Sequence, residues 1–208
     1  MENTILHKVE TLLAKARQAG LKMPTHVVFK SRSLSSLGEW AAKITPGRSA
    51  LLVTGSRYAE ESGLVARIHT LLMQEGLRFS HVPGIHKEPT VTMINELAGW
   101  VRKQKPDLII SAGGGSVLDA GKAVAALAVN EGSVEDYLEG LTPCRPVSKQ
   151  PLPHIAIPTV SGTGAEMTKN AVIGSIEKEF KKSMRADNMI PALALIDPEL
   201  TLSVPPPA

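Results

Sequence analysis

Short apolar runs alternate with longer stretches of helical periodicity along most of this 208-residue chain, and that alternation constrains its fold more than any other feature. The runs lie at Thr25–Phe29, Ala50–Thr54, Arg78–Val82, Leu108–Ser111, His154–Ile157, Ala171–Ile176 and Ala192–Ile196. Helical patterns occupy Leu34–Lys43, Tyr58–Glu75, Thr90–Lys105 and Val117–Asn130. Strands joined through helices of this length pair in parallel, so the expectation is an α/β fold built from βαβ units. The runs around Leu51, Leu108 and Ile155 are almost continuous, as in strands covered on both faces. Ahead of this pattern, Ile5, Leu6, Val9, Leu12, Leu13 and Ala16 recur at helical spacing and Gly20 offers a stop. Residues 1–23 are therefore expected to form a helical extension to one domain spanning 24–208.

Composition removes several classes of function. The chain carries 23 basic against 20 acidic residues, with no arginine–lysine run and no aromatic ladder, so nucleic acid is not an expected partner. No apolar stretch reaches the length of a membrane span, and the N-terminus lacks the apolar core of a signal peptide. The single cysteine, Cys144, excludes an internal disulfide and fits a reducing compartment, so a cytoplasmic protein is expected.

Two segments carry chemistry. In the first, the apolar run Leu108-Ile109-Ile110 leads through Ser111 and Ala112 into Gly113-Gly114-Gly115-Ser116-Val117-Leu118-Asp119-Ala120-Gly121-Lys122. Glycines allow unusual backbone conformations and close approach of a ligand to the main chain. The helix that follows presents N–H groups and the positive end of its dipole, which suit a phosphate. Ser116 and Asp119 also have the spacing of a helix capping box, but a capping box does not need three glycines. Two familiar phosphate motifs do not match. A P-loop needs four residues between its first glycine and Gly-Lys, and Ser or Thr after the lysine, where Ala123 stands. The common dinucleotide fingerprint needs a third glycine where Leu118 stands.

The second segment is Pro158-Thr159-Val160-Ser161-Gly162-Thr163-Gly164-Ala165-Glu166-Met167-Thr168, again directly after an apolar run. Its hydroxyls suit phosphate, ribose or a carboxamide. Taken alone, a small-residue loop with nothing bound explains it equally well. A serine hydrolase does not, because Thr159 stands where the nucleophile elbow requires glycine.

With both segments in order, the chain resembles the iron-containing (group III metal-dependent) alcohol dehydrogenases. Two further features agree: Glu88-Pro89-Thr90 as a proline–threonine helix opening, and the basic Lys181 ahead of a last strand, Ala192–Pro198. The resemblance implies a Rossmann-like parallel sheet with flanking helices, the N-terminal domain type of dehydroquinate synthase, binding NAD or NADP. It implies that Gly114, Gly115 and Ser116 cradle the pyrophosphate, with Asp119 on the same helix. Thr159, Val160, Ser161 and Thr163 would line the adenine and ribose, and Pro89, Thr168, Asn170, Lys181 and Leu200 would complete the cofactor contacts.

In that family a helical C-terminal domain supplies one aspartate and three histidines to Fe²⁺ or Zn²⁺. None of the six histidines here forms a paired helical ligand motif, and Asp197 is the aspartate of the Asp-Pro strand end, so no metal-ligating or catalytic residue is expected in this stretch. His86, before Glu88, could edge the cleft or simply face solvent. An exposed face left for the helical domain would favour a homo-oligomer. After the second run stand Gly55-Ser56-Arg57, where NAD-using folds carry a carboxylate for the adenosine ribose. Glycine here removes that carboxylate, while Ser56 and Arg57 suit a 2′-phosphate, so NADP is expected over NAD. The expected activity is hydride transfer between nicotinamide and an alcohol or aldehyde. A free-standing dinucleotide-binding module and a glycerol dehydrogenase-like or dehydroquinate synthase-like branch remain alternatives.

Overall fold

A computed structural model describes residues 2–55, 58–85, 87–142 and 144–202, with the backbone alone for 2–6. Ser56, Arg57, His86 and the proline-rich end therefore lie outside the described residues. The helices are α1 (Glu2–Gln18), α2 (Leu37–Ile44), α3 (Tyr58–Glu61), α4 (Leu64–Gln74), α5 (Val91–Gln104) and α6 (Gly115–Leu127). The strands are β1 (His26–Phe29), β2 (Ser49–Thr54), β3 (Arg78–Val82), β4 (Leu108–Gly113), β5 (His154–Pro158), β6 (Asn170–Ser175), β7 (Phe180–Arg185) and β8 (Leu193–Ile196). No helix among the described residues is long and apolar enough to cross a membrane.

Six strands form one parallel sheet in the order β1-β8-β5-β4-β2-β3. The central strands β2 and β4 divide their side chains between two cores, which explains their continuous apolar runs. Leu51, Val53 and Ile109 pack with Ile94, Val101 and Val124 of α5 and α6. Leu52, Ile110, Ile155 and Leu195 pack on the other face with Leu37 of α2 and Ile68 and Leu72 of α4. From β2 the chain moves outward to β3 and then returns through α5 to β4, on the other side of β2. The connections after β2 and β4 thus leave in opposite directions, and open α/β sheets bind ligands at such a switch point.

Three expectations need correction. The run at Ala171–Ile176 does not join the main sheet. It pairs antiparallel with β7 in a hairpin whose tip is Ile176–Glu179. The connection from β5 to β6 contains only a short 3₁₀ turn, Ala165–Met167, too little for a helical crossover. β7 reads Phe-Lys-Lys-Ser-Met-Arg and faces solvent on one side, so no apolar run announced it. The single helix expected over Tyr58–Glu75 is broken at Gly63, whose φ of 74° is left-handed. The helix expected from Leu34 begins as a 3₁₀ turn, Ser33–Ser36. Buried Asp197 holds that turn: it accepts from the backbone N–H of Arg32 (3.0 Å), Leu34 (3.1 Å) and Glu199 (3.1 Å).

Helix α6 lies against the sheet with almost no clearance at Gly121. A Cβ there would stand 2.7 Å from Ser111 Oγ and 2.8 Å from His154 Nε2, two side chains already hydrogen-bonded to each other at 2.5 Å. We expect Gly121→Ala to destabilise the fold although alanine favours helix by about 0.5–1 kcal/mol, because overpacking costs about 1–3 kcal/mol. The net loss of roughly 0.5–2 kcal/mol should lower the thermal midpoint by about 1–8 °C. Circular dichroism melts check this, and an unchanged or higher midpoint would show that the contact has slack.

Candidate functional site

The three glycines after β4 do not serve backbone conformation. None of Gly113, Gly114 or Gly115 has positive φ, and Gly114 is plainly extended (φ −77°, ψ −178°). They are small because of what stands beside them. A Cβ on Gly113 would lie 2.5 Å from Val117, on Gly114 3.3 Å from Val160, and on Gly115 3.2 Å from Thr163. The left-handed glycines belong instead to the second segment, at Gly162 (φ 102°) and Gly164 (φ 65°). Parallel pairing of Gly113 with Pro158 sets the two loops side by side, and the Thr159 N–H donates to Gly113 O at 3.0 Å. Gly55 completes the group, since a Cβ there would be 3.3 Å from Val117 on the first turn of α6.

The capping-box explanation of Ser116 and Asp119 fails. Gly114 is the N-cap of α6, and no side chain caps it. Asp119 is committed elsewhere: Oδ2 accepts from the Val172 N–H at 2.9 Å, and Oδ1 pairs with Lys122 Nζ at 2.9 Å. The positive end of the α6 dipole is thus left to the space between the loops, at the switch point of the sheet.

The structure brings Gly55, Gly114, Gly115, Ser116, Thr159, Val160 and Thr163 into one place at the C-terminal ends of β2, β4 and β5, with Ser161 exposed on the second loop. Asp119, Thr168 and Asn170 meet around Lys122. Pro89 and Lys181 form a third group: Pro89 O accepts from the Gly174 N–H at 2.9 Å, Lys181 pairs with Glu88, and Thr90 caps α5 through its hydroxyl. Leu200 is not brought to these groups, because its side chain is buried in the apolar core on the other face of the sheet.

Sequence reading missed two groups. Lys122, buried in the middle of α6, donates to Ala165 O (3.0 Å), Thr168 Oγ1 (3.2 Å) and Asn170 O. Burial pushes its pKa below the usual lysine value, and the Asp119 carboxylate opposes that shift. The signal was available: a lone charge, three residues after an aspartate, in the run Ala120–Leu127 of small apolar residues. His154 is the second group. It is buried beneath Gly121, and burial, helped by the Lys122 charge, pushes its pKa down to about 3. Nothing in sequence spacing relates His154 to Ser111. Among the described residues no three His, Cys, Asp or Glu side chains stand close enough to hold a metal ion. His154 faces Ser111, and Asp197 is spent on backbone N–H groups, so the donors present do not fit the metal site that the resemblance implies.

The family model described as iron-containing alcohol dehydrogenase matches residues 24–198. Long-chain-alcohol dehydrogenase 1 of Geobacillus thermodenitrificans is 40% identical over 160 residues, covering 77% of this chain and 40% of that protein. NADH-dependent butanol dehydrogenase A of Clostridium acetobutylicum is 30% identical over 183 residues, covering 88% of this chain and 46% of its own length. The crystal structure of an archaeal alcohol dehydrogenase from a Red Sea brine pool superposes with a TM-score of 0.82 at 30% identity, over 88% of this chain and 47% of that one. The chain therefore spans less than half the length of these relatives.

The buried histidine makes stability depend on pH. Below 6.5 the unfolded chain takes up a proton at residue 154 that the folded protein refuses down to about 3. This contribution is present above 6.5 and is lost as pH falls towards 3, at up to about 1.4 kcal/mol per pH unit. Denaturant titrations across that window should give a flatter profile for His154→Gln than for the native protein. Parallel profiles would mean that the imidazole is not held neutral.

Proposed function

Because the chain belongs to the iron-containing alcohol dehydrogenase family, we propose that residues 24–208 form the dinucleotide-binding part of an NAD(P)-dependent alcohol dehydrogenase, with residues 1–23 as an extension. The observation that carries this reading is the meeting of two glycine-bearing loops at the switch point of the sheet, where the N-terminus of α6 has no side-chain cap. A dinucleotide fits that arrangement. The pyrophosphate would lie along Gly114, Gly115 and Ser116, where the two glycines leave the main chain bare beside Val160 and Thr163. Thr159, Val160, Ser161 and Thr163 would form the facing wall for the adenosine, and Gly55 would leave the ribose edge open. Pro89 and Lys181 would close the far side, and Asp119, Thr168 and Asn170 would act through the packing beneath the second loop. Leu200 would act only from the core behind β8.

When bound, the nicotinamide supplies or accepts the hydride exchanged with an alcohol or aldehyde. The residues of this chain bind and orient it. No described residue is assigned a catalytic role or a metal. Fe²⁺ or Zn²⁺ would be held by residues other than those described. Such a dehydrogenase would work in the cytoplasm as a homo-oligomer, with neither nucleic acid nor membrane as partner.

The cofactor is NADP in this reading. Gly55 stands where a carboxylate would repel a 2′-phosphate, and the neighbouring Ser56 and Arg57 supply a hydroxyl and a guanidinium. A charge-assisted contact contributes roughly 1.5–3 kcal/mol, which corresponds to about tenfold or more in affinity. Calorimetric titration should show NADPH binding about tenfold more tightly than NADH, with Arg57→Ala narrowing the gap. Gly114→Val should abolish binding of both; its Cβ would stand 3.3 Å from Val160, so the melt should fall modestly while far-UV circular dichroism below the transition stays native. Equal or tighter binding of NADH would refute the NADP assignment. Native affinity in Gly114→Val would refute the site.

A further inference from the structure

The second loop has little structure of its own. From Thr159 to Lys169 it contains only the 3₁₀ turn Ala165–Met167, and two of its glycines adopt left-handed conformations. A segment of this kind needs an outside tether to hold one shape. The Thr159 N–H on Gly113 O and the Lys169–Asp187 pair hold its two ends, and between them one ammonium group ties it to α6. Lys122 Nζ reaches Ala165 O, Thr168 Oγ1 and Asn170 O, which bracket the C-terminal half of the loop, and its counter-ion Asp119 holds the Val172 N–H just beyond.

A lysine has three protons to donate, and four acceptors surround this one. The ammonium is therefore saturated within the protein and has none left for a ligand. Glu166, one residue past Ala165, has its Oε2 buried without a donor, so a second carboxylate close by leans on the same positive charge. The side chain of Lys122 is fully buried, and it emerges from the helix whose first turn forms the glycine loop. One residue thus fixes one wall of the cleft to the other.

We propose that Lys122 is a positioning residue for the dinucleotide: it holds the segment Ala165–Asn170 on α6 before any ligand arrives, and so anchors Thr159–Thr163 from its C-terminal side until the adenosine orders it. The proposal rests on the dinucleotide reading for the identity of the ligand, but not for the ordering of the loop. Lys122 itself touches no cofactor. Its effect passes through the loop.

The test is amide hydrogen exchange combined with NADPH titration, on the native chain and on Lys122→Met, well below the melting temperature of each. In the native chain without ligand, the amides of 165–170 should be protected, and added NADPH should mainly slow exchange in 159–164. In Lys122→Met, exchange over 165–170 should accelerate at least tenfold while β4 and β5 stay protected, and NADPH affinity should fall at least tenfold. A merely structural lysine would lower the melting temperature and leave both local exchange and the affinity of the folded protein as they were. That result would overturn the proposal. If Lys122→Met does not fold, the native chain alone decides: free exchange over 165–170 that becomes slow only with NADPH would show that the ligand, and not Lys122, orders the loop. Failure of the native chain to bind either NADPH or NADH would refute the dinucleotide reading, while exchange over 165–170 would still test the ordering by Lys122.

Discussion

The contact between α6 and the sheet at Gly121 is the constraint on which the rest of the site depends. With no side chain at that position, the helix settles onto Ser111 and His154, and its first turn comes to rest directly beyond the end of β4. Any residue with a Cβ would lift the helix and carry its N-terminus, Asp119 and Lys122 away from the loops they serve. Both polar groups under the glycine are themselves buried; Ser111 Oγ and His154 Nε2 share one short hydrogen bond, while His154 Nδ1 is buried without a partner. Close packing of the interior transmits a displacement of this kind and does not absorb it.

The two loops divide the work of glycine between them. After β4, the residues are small because Val117, Val160 and Thr163 stand almost in contact with the main chain. After β5, Gly162 and Gly164 turn the backbone through left-handed conformations that a branched residue would resist. One loop is therefore rigid because it is crowded and continues into a helix. The other is intrinsically loose and is tied from below by a buried ammonium. A crowded, glycine-lined wall facing a tethered, hydroxyl-rich wall is the arrangement on which the dinucleotide proposal rests.

Charge inside this domain is sparse, and the pair on α6 is fully employed. Lys122 and Asp119 lie in an otherwise apolar helix, and each is engaged on more than one side. A buried pair of this type adds little net stability compared with apolar replacements, so its value lies in fixing one arrangement of the segments it touches. The same positive charge helps to keep His154 neutral, which links the polar group on the sheet to the one on the helix.

Much of the fold was legible in the sequence because burial on both faces leaves a continuous apolar run. The strands Ser49–Thr54, Leu108–Gly113 and His154–Pro158, buried almost throughout, stand where those runs do. The glycine run and the Thr159–Thr168 segment were legible for a similar reason: close approach and tight turning each admit few residue types. β7 was not legible, since a half-exposed basic hairpin strand has no apolar signature, and its pairing with β6 is a contact across a turn. The role of the three glycines, the commitment of Asp119 to Lys122 and Val172, and the seat of His154 beneath Gly121 were decided by the tertiary structure alone. Each depends on the distance between segments far apart in the chain, and local sequence sets which residues can approach but not which ones meet.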